Sequence, residues 1–159
     1  LPAMSSVGNG ATPKFEALWG GPIPAEPGLD TRGILEGCIS GKIKTLYIMG
    51  SDPIKNFPDA VLVRQALEKV PCLIVQDMFL TETAKLASVF LPACSFIEKD
   101  GSFTNIEGRV QRFKKAVEPR GQSKADWQII SELMSRLGKP VPYFSPRDIR
   151  REISRVIAS

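Results

Sequence analysis

Two carboxylates close two apolar runs. Asp52 lies in Gly50-Ser51-Asp52-Pro53, directly after Lys44-Thr-Leu-Tyr-Ile-Met49, and Asp77 follows Gln76 at the end of Cys72-Leu-Ile-Val75. Both are ionised acceptors at neutral pH, suited to ribose hydroxyls or to the paired N–H donors on a guanine edge. Gly50 would let a ligand come close to the backbone. Helix N-termini near Pro58 and Thr81 would offer N–H groups to phosphate. Gly-Ser-Asp-Pro is equally an ordinary turn in which Asp bonds its own backbone, and both readings stand on these residues alone.

Other candidates have plainer explanations. Glu98 and Asp100 could be paired for acid–base work, but beside Gly101 they read as solvated loop charges. Arg109, Arg112, Lys114 and Lys115 form a basic cluster that is either a wet face or a contact for an acidic ligand or partner. Arg147, Arg150, Arg151 and Arg155 read as the wet face of a last helix. Asp126, three residues after Ser123, fits a capping box. The chain has no His, the usual proton shuttle and commonest metal ligand. Cys38, Cys72 and Cys94 lack the two-residue gap of zinc and iron–sulfur sites. They read as reduced core residues in a reducing compartment. Neither Gly-x-Gly-x-x-Gly after a strand nor a lysine phosphate loop is present, which argues against a conventional NAD or FAD site.

The elements that must position these residues follow from periodicity. Residues 1–30 form a Gly-, Pro- and Ser-rich lead-in with one short helix at 15–19. Ile34, Leu35, Cys38 and Ile39 recur at helical spacing before Gly41. The apolar runs at 44–50, 72–75 and 88–91 predict strands, the continuous run at 44–50 one covered on both faces. Between them Pro58 and Asp59 open a helix with a stripe of Val61, Leu62, Ala66, Leu67 and Val70, and Thr81 caps a short one at 82–86. This alternation over 31–95 is an α/β pattern, a parallel sheet with right-handed crossovers. In such sheets ligands bind beyond the strands' carboxyl ends, here Gly50–Pro53, Gln76-Asp77 and Pro92–Ser95. Residues 96–122 predict an extended arm with one or two short strands, anchored by Val110, Phe113 and Val117. C-terminal helices fill 123–159: one from Ser123 with Trp127, Ile130, Leu133, Met134 and Leu137 on one face, one from Ser145-Pro146 with Ile149, Ile153, Val156 and Ile157.

At 159 residues the chain fits one domain with a sizeable core. No run nears the roughly 18 apolar residues of a spanning helix, and there is no signal peptide pattern. Cytoplasmic residence is expected, with any inner-membrane association made through partner subunits rather than direct insertion. The basic residues are dispersed at a net charge of +4, so nucleic acid is not an expected partner. Opening on Leu1, the chain reads as a fragment of a larger subunit.

Several runs carry a family resemblance: Leu46-Tyr-Ile-Met-Gly-Ser-Asp-Pro53, Leu73-Ile-Val-Gln-Asp-Met-Phe-Leu-Thr-Glu-Thr-Ala84, Ser88-Val-Phe-Leu-Pro92, Glu98-Lys-Asp-Gly-Ser-Phe-Thr-Asn105, Glu107-Gly-Arg-Val-Gln111, Ala116-Val-Glu-Pro119 and Asp126-Trp-Gln-Ile-Ile130. In this order they resemble the third, nucleotide-binding domain of molybdopterin oxidoreductases, specifically the formate dehydrogenase α subunit and the G subunit of NADH–quinone oxidoreductase. The lead-in runs Phe15-Glu-Ala-Leu-Trp-Gly20 and Pro27-Gly-Leu29 look similar as well.

The resemblance implies a Rossmann-like three-layer domain with a mainly parallel sheet flanked by helices. It would hold the guanine nucleotide end of a molybdopterin guanine dinucleotide. Gly50, Ser51, Asp52 and Pro53 would form the first binding loop with Asn56 just beyond, Gln76 and Asp77 the second, and Asp126 would reach the nucleotide from a helix start. Iron–sulfur cysteines, the metal-ligating Cys or selenocysteine, and the catalytic His and Arg belong to segments this chain does not contain. The domain alone is thus expected to be non-catalytic, partnered by other domains of its subunit and by other redox-complex subunits. Two further readings stand beside this one: a cofactor-free scaffold domain of the complex I G subunit, and a flavodoxin-like electron carrier.

Overall fold

A computed structural model describes residues 12–157, which fall into two compact units: residues 30–141, and residues 12–29 with 142–157.

In the larger unit three strands, β1 (Thr45–Met49), β2 (Cys72–Asp77) and β3 (Val89–Pro92), pair in parallel in the order β1-β2-β3. The register aligns Leu46 with Leu73, Ile48 with Val75 and Met49 with Gln76, and Val75 in turn with Phe90. Side chains alternate across a strand, so Leu46, Ile48, Leu73, Val75 and Phe90 share one face. They pack with Leu35 and Cys38 of α2 (Thr31–Ile39) and Val63, Ala66 and Leu67 of α4 (Ala60–Lys69). Burying each such aliphatic side chain contributes about 1.5–3 kcal/mol. Only β2, in the centre, is deeply buried. β1 is an edge strand with both ends exposed, which corrects the expectation of a strand covered on both faces.

The helices begin where side-chain oxygens can take orphan N–H groups. Asp30 accepts from Gly33 N at 2.7 Å to start α2, and Asp59 from Leu62 N at 2.9 Å to start α4. The buried stripe of α4 is Val63, Ala66, Leu67 and Val70, at i, i+3, i+4 and i+7. Val61, expected in that stripe, is 69% exposed because it falls on the opposite side of the helix. Where a helix over 82–86 is expected, a single 3₁₀ turn, Ala84–Leu86, joins β2 to β3; its N-cap position is Thr83, and Thr81 Oγ1, two residues before, accepts from Ala84 N at 3.1 Å.

The arm contains an antiparallel hairpin of β4 (Gly101–Thr104) and β5 (Val110–Phe113). Phe103 stacks on Phe113 at 5.0 Å between centroids. A Cβ on Gly101 would lie 2.4 Å from the Phe113 ring, so a larger residue there would have to displace that ring. Of the three expected anchors only Phe113 is half-buried; Val110 and Val117 are exposed on the hairpin's outer side and the segment that follows. The chain then returns to the sheet: Lys124 N donates to Pro92 O and Cys94 N to Lys124 O, a parallel bridge at the end of β3.

That bridge fixes the start of α5 (Asp126–Arg136). The helix begins three residues later than Ser123, whose hydroxyl instead donates to Arg120 O at 2.8 Å. The expected Ser123–Asp126 capping box is therefore absent. Ala125 is the N-cap, and Gln128 Oε1 accepts its N–H at 3.1 Å. Of the helix's expected face Trp127 and Met134 are half-buried and Ile130, Leu133 and Leu137 are at least 36% exposed, while Ile129, outside that face, is the buried residue.

In the smaller unit, α1 (Thr12–Trp19) carries a buried Phe15 whose ring lies tilted against Trp19, and Glu16 accepts from Ile23 N at 3.0 Å. α6 (Pro146–Ile157) starts directly after Ser145 as expected, and Asp148 in its first turn accepts from the Ser145 hydroxyl at 2.9 Å. Burial and a hydrogen bond to Glu152 push the Tyr143 phenol up to about 12. The side chains of Val156 and Ile157, placed in the apolar stripe of that helix by periodicity, lie outside the described residues, as does the lead-in before residue 12. No helix among the described residues is long and apolar enough to cross a membrane.

Candidate functional site

β1 and β2 run parallel in matched register, so Gly50-Ser51-Asp52 and Gln76-Asp77 lie at the same end of the sheet. Gly50, in the left-handed region at φ +60°, donates its N–H to Gln76 O at 2.9 Å and ties the two ends together. A Cβ there would meet nothing within 4 Å, so glycine answers the backbone turn rather than crowding.

The two strand-end aspartates do internal work. Asp52 sits at the start of the short helix α3 (Pro53–Asn56), where its carbonyl accepts from Asn56 N. Its carboxylate Oδ1 turns instead to fully buried Thr83, accepting from the hydroxyl at 2.6 Å and from the N–H at 3.3 Å. Asp77 Oδ1 accepts from Phe79 N at 3.0 Å, an Asx turn closing β2. The Ser51 and Asn56 side chains make no hydrogen bond among the described residues, and Asn56 is exposed.

A different group of residues converges on the face of β2 opposite the apolar core. Gln76 is fully buried, and its Oε1 accepts from the Tyr47 hydroxyl of β1. Its Nε2 donates to Asp126 Oδ1 at 2.8 Å. Lys99 Nζ donates to the other oxygen of Asp126 and to Cys94 O, the latter at 3.0 Å. Burial works to raise the Asp126 carboxyl, but the bonds from Lys99 and Gln76 outweigh it and hold the group below its ordinary value. Burial, with the nearby Asp126 charge, pushes the Tyr47 phenol up. Lys99 is fixed by the turn before it. Glu98 Oε2 accepts from Ser95 N at 2.9 Å and Oε1 from Arg120 N, so Phe96–Glu98 closes as a capped 3₁₀ turn.

Gln76 and Asp126, fifty residues apart, are thus in direct contact, while Asp52 and Asp77 are each held by neighbours of their own. Lys99, Tyr47 and Thr83 escape sequence reasoning. Lys99 sits between two acids in what reads as a solvated loop, and only its long-range partner gives it meaning. Beside this network, beyond the ends of β2 and β3, runs a groove of ≈ 530 Å³ lined by Met78, Phe79, Pro92, Ser95, Ile97 and Arg120 among others. Around it Met78, Phe79, Leu80, Phe96 and Ile97 are all exposed.

The fold defines an α/β domain built on an open parallel sheet flanked by helices. Residues 22–136 match the family model described as molybdopterin oxidoreductase, and the chain belongs to that family. It is similar to the NADH-quinone oxidoreductase G 2 subunit of Rhizobium meliloti, 40% identical over 158 residues, covering 99% of this chain and 18% of that protein. It is also similar to formate dehydrogenase H of Escherichia coli, 40% identical over 141 residues, covering 88% of this chain and 20% of that one. The fold resembles part of acetylene hydratase from Pelobacter acetylenicus, with a TM-score of 0.65 over 72% of this chain and 17% of the other at 23% identity. The chain thus spans about a fifth of the length of these relatives.

Proposed function

We propose that this domain holds the guanine nucleotide end of a molybdopterin guanine dinucleotide within a subunit of a multi-subunit oxidoreductase, of the formate dehydrogenase or NADH–quinone oxidoreductase kind. One observation carries the reading. A fully buried glutamine aims an ionised carboxylate, Asp126, at the carboxyl end of a parallel sheet, where open α/β sheets bind ligands. The chemistry suits a nucleotide: Asp126 would accept from base N–H groups, and exposed Gly50, where a Cβ would meet nothing within 4 Å, lies with the half-buried Ser51 and Pro53 at the same strand ends. Asn56 and Asp77 border the same strand ends, and Asp52 would contribute through the loop it braces rather than through Oδ1. When bound, the cofactor would supply the redox chemistry. The residues of this chain would only bind and orient its nucleotide end, since iron–sulfur and metal-ligating groups would come from the rest of the subunit. The exposed apolar residues around the groove support packing against other domains of that subunit, in a cytoplasmic complex that meets the membrane only through other subunits.

The test uses the full-length subunit. Purified protein is assayed for molybdenum or tungsten and for GMP released by acid hydrolysis. The reading predicts both near one per subunit, and an Asp126→Ala protein that retains far less GMP. A wild-type subunit with neither metal nor GMP would sink it. One observation favours a second reading, a cofactor-free scaffold domain: the Asp52 and Asp77 carboxylates are each already occupied internally. On that reading metal and GMP are absent and Asp126→Ala leaves the activity of the complex intact.

A further inference from the structure

The two edges of the parallel sheet are finished differently. An edge strand presents a row of unpaired N–H and C=O groups, which natural proteins blunt with proline, charge, bulges or covering chain. β3 is blunted in this way. It ends in Pro92, which sheets admit mainly at edges because it has no N–H. Pro92 O already accepts from Lys124 N, where the chain returns along that side. β1 has no such device. Gly50 N donates to Gln76 O and Cys72 N to Lys44 O, and a parallel ladder uses alternate residues of a strand. Leu46 and Ile48 therefore turn their N–H and C=O groups toward β2. Thr45, Tyr47 and Met49 turn theirs outward, where none has a hydrogen-bond partner among the described residues. The strand reads Thr-Leu-Tyr-Ile-Met, without charge, proline or bulge. A continuous apolar run of this kind is what an interior strand of a parallel sheet carries, yet Met49 is 52% exposed.

Topology fixes what that edge lacks. β1, β2 and β3 follow one another in a single direction across the sheet. A doubly wound sheet has two such halves, which meet where the strand order reverses, so a second half would join at β1. The smaller unit of this chain contributes no strand among its described residues. The chain spans only about a fifth of the length of its relatives. We propose that the outer edge of β1 docks a parallel strand from the part of the larger subunit that lies outside this chain, bonded to the backbone of Thr45, Tyr47 and Met49. β1 then becomes the interior strand that its residues describe. The docking holds equally for the cofactor-binding and scaffold readings, because it uses backbone groups that neither of them engages.

Hydrogen–deuterium exchange of the full-length subunit, resolved to single amides by electron-transfer fragmentation, tests this without any variant. An open edge leaves an alternation, with the Leu46 and Ile48 amides slow and the Thr45, Tyr47 and Met49 amides fast. A docked strand removes it. After correction for intrinsic rates, the amides of Thr45–Met49 are then expected to exchange within about tenfold of one another. The 159-residue chain, which lacks the docked strand, should keep the alternation, with Tyr47 exchanging about a hundredfold or more faster than in the subunit. Alternation in the full-length subunit overturns the proposal. Uniform protection already present in the monomeric 159-residue chain overturns it too, since the partner would then lie within this chain. So does uniform protection that disappears when a dimeric subunit is diluted to monomer, which would assign the edge to a second copy.

Discussion

The two faces of β2 are built by different means. Leu73 and Val75 point to an apolar core supplied by the neighbouring α2 and α4, and shape and burial hold that face together. Gln76, one residue on, points the other way into a chain of polar bonds running from Tyr47 to Asp126, Lys99 and Cys94. The first face can exchange one aliphatic residue for another of similar volume at a cost usually under about 1.5 kcal/mol. The second cannot lose a member without orphaning another. A polar group that is fully buried and yet bonded at both ends of its amide, as Gln76 is, marks a place where the fold has spent its geometry on orientation.

Substitutions on the two faces should therefore separate stability from binding. The largest stability effect is expected on the apolar side: Leu73→Ala should cost about 2–5 kcal/mol in urea unfolding, with GDP affinity of the folded protein unchanged. A parallel loss of affinity would break the division. On the polar side Gln76→Leu strands the Tyr47 hydroxyl and one Asp126 oxygen, for about 1–3 kcal/mol, and GDP affinity should fall as well because Asp126 is no longer aimed. If Gln76→Leu binds GDP as wild type does, the network is only structural.

Acid should act on the polar face alone. The Asp126 carboxyl is held below its ordinary value of 3.8, so its contribution to stability is fully present above that value and is lost as pH falls through the lowered folded value. Carbon-detected NMR of the Asp126 carboxyl should show a titration midpoint below 3.8 in wild type that moves up in Lys99→Met. An unmoved midpoint would mean that Lys99 is not its partner in solution. The smallest effect is expected in the connection between β2 and β3: Thr81→Ala removes a single side-chain bond to Ala84 N, for roughly 0.5–1 kcal/mol and no change in GDP binding.

The same division explains what can be read from the residues in order. The three strands and the helices after Asp30 and Asp59 are legible, because periodicity and capping act within a few residues, whereas the helix expected over 82–86 shortens to a three-residue 3₁₀ turn. Boundaries fail where tertiary contacts decide them. α5 starts at Asp126 rather than Ser123 because the bridge between Ala93 and Lys124 draws the chain onto β3 first. Edge position makes β1 half-exposed, and an apolar run cannot announce whether a fourth strand will flank it. Within the site, family resemblance singles out Gln76 and Asp126, but their mutual bond across fifty residues has no local signature. Lys99 has none at all. Asp52 is the clearest signal by position, yet its Oδ1 belongs to Thr83, a partner that only the crossover between β2 and β3 brings near.

Amide and side-chain shifts of the isotopically labelled chain during a GDP titration test the central claim most directly. The account predicts that the largest changes gather at Gly50, Ser51, Gln76, Lys99 Nζ and Asp126, with Leu73 and Val75 still. Shifts absent there at millimolar GDP, or concentrated on the α2–α4 side of the sheet, would contradict it.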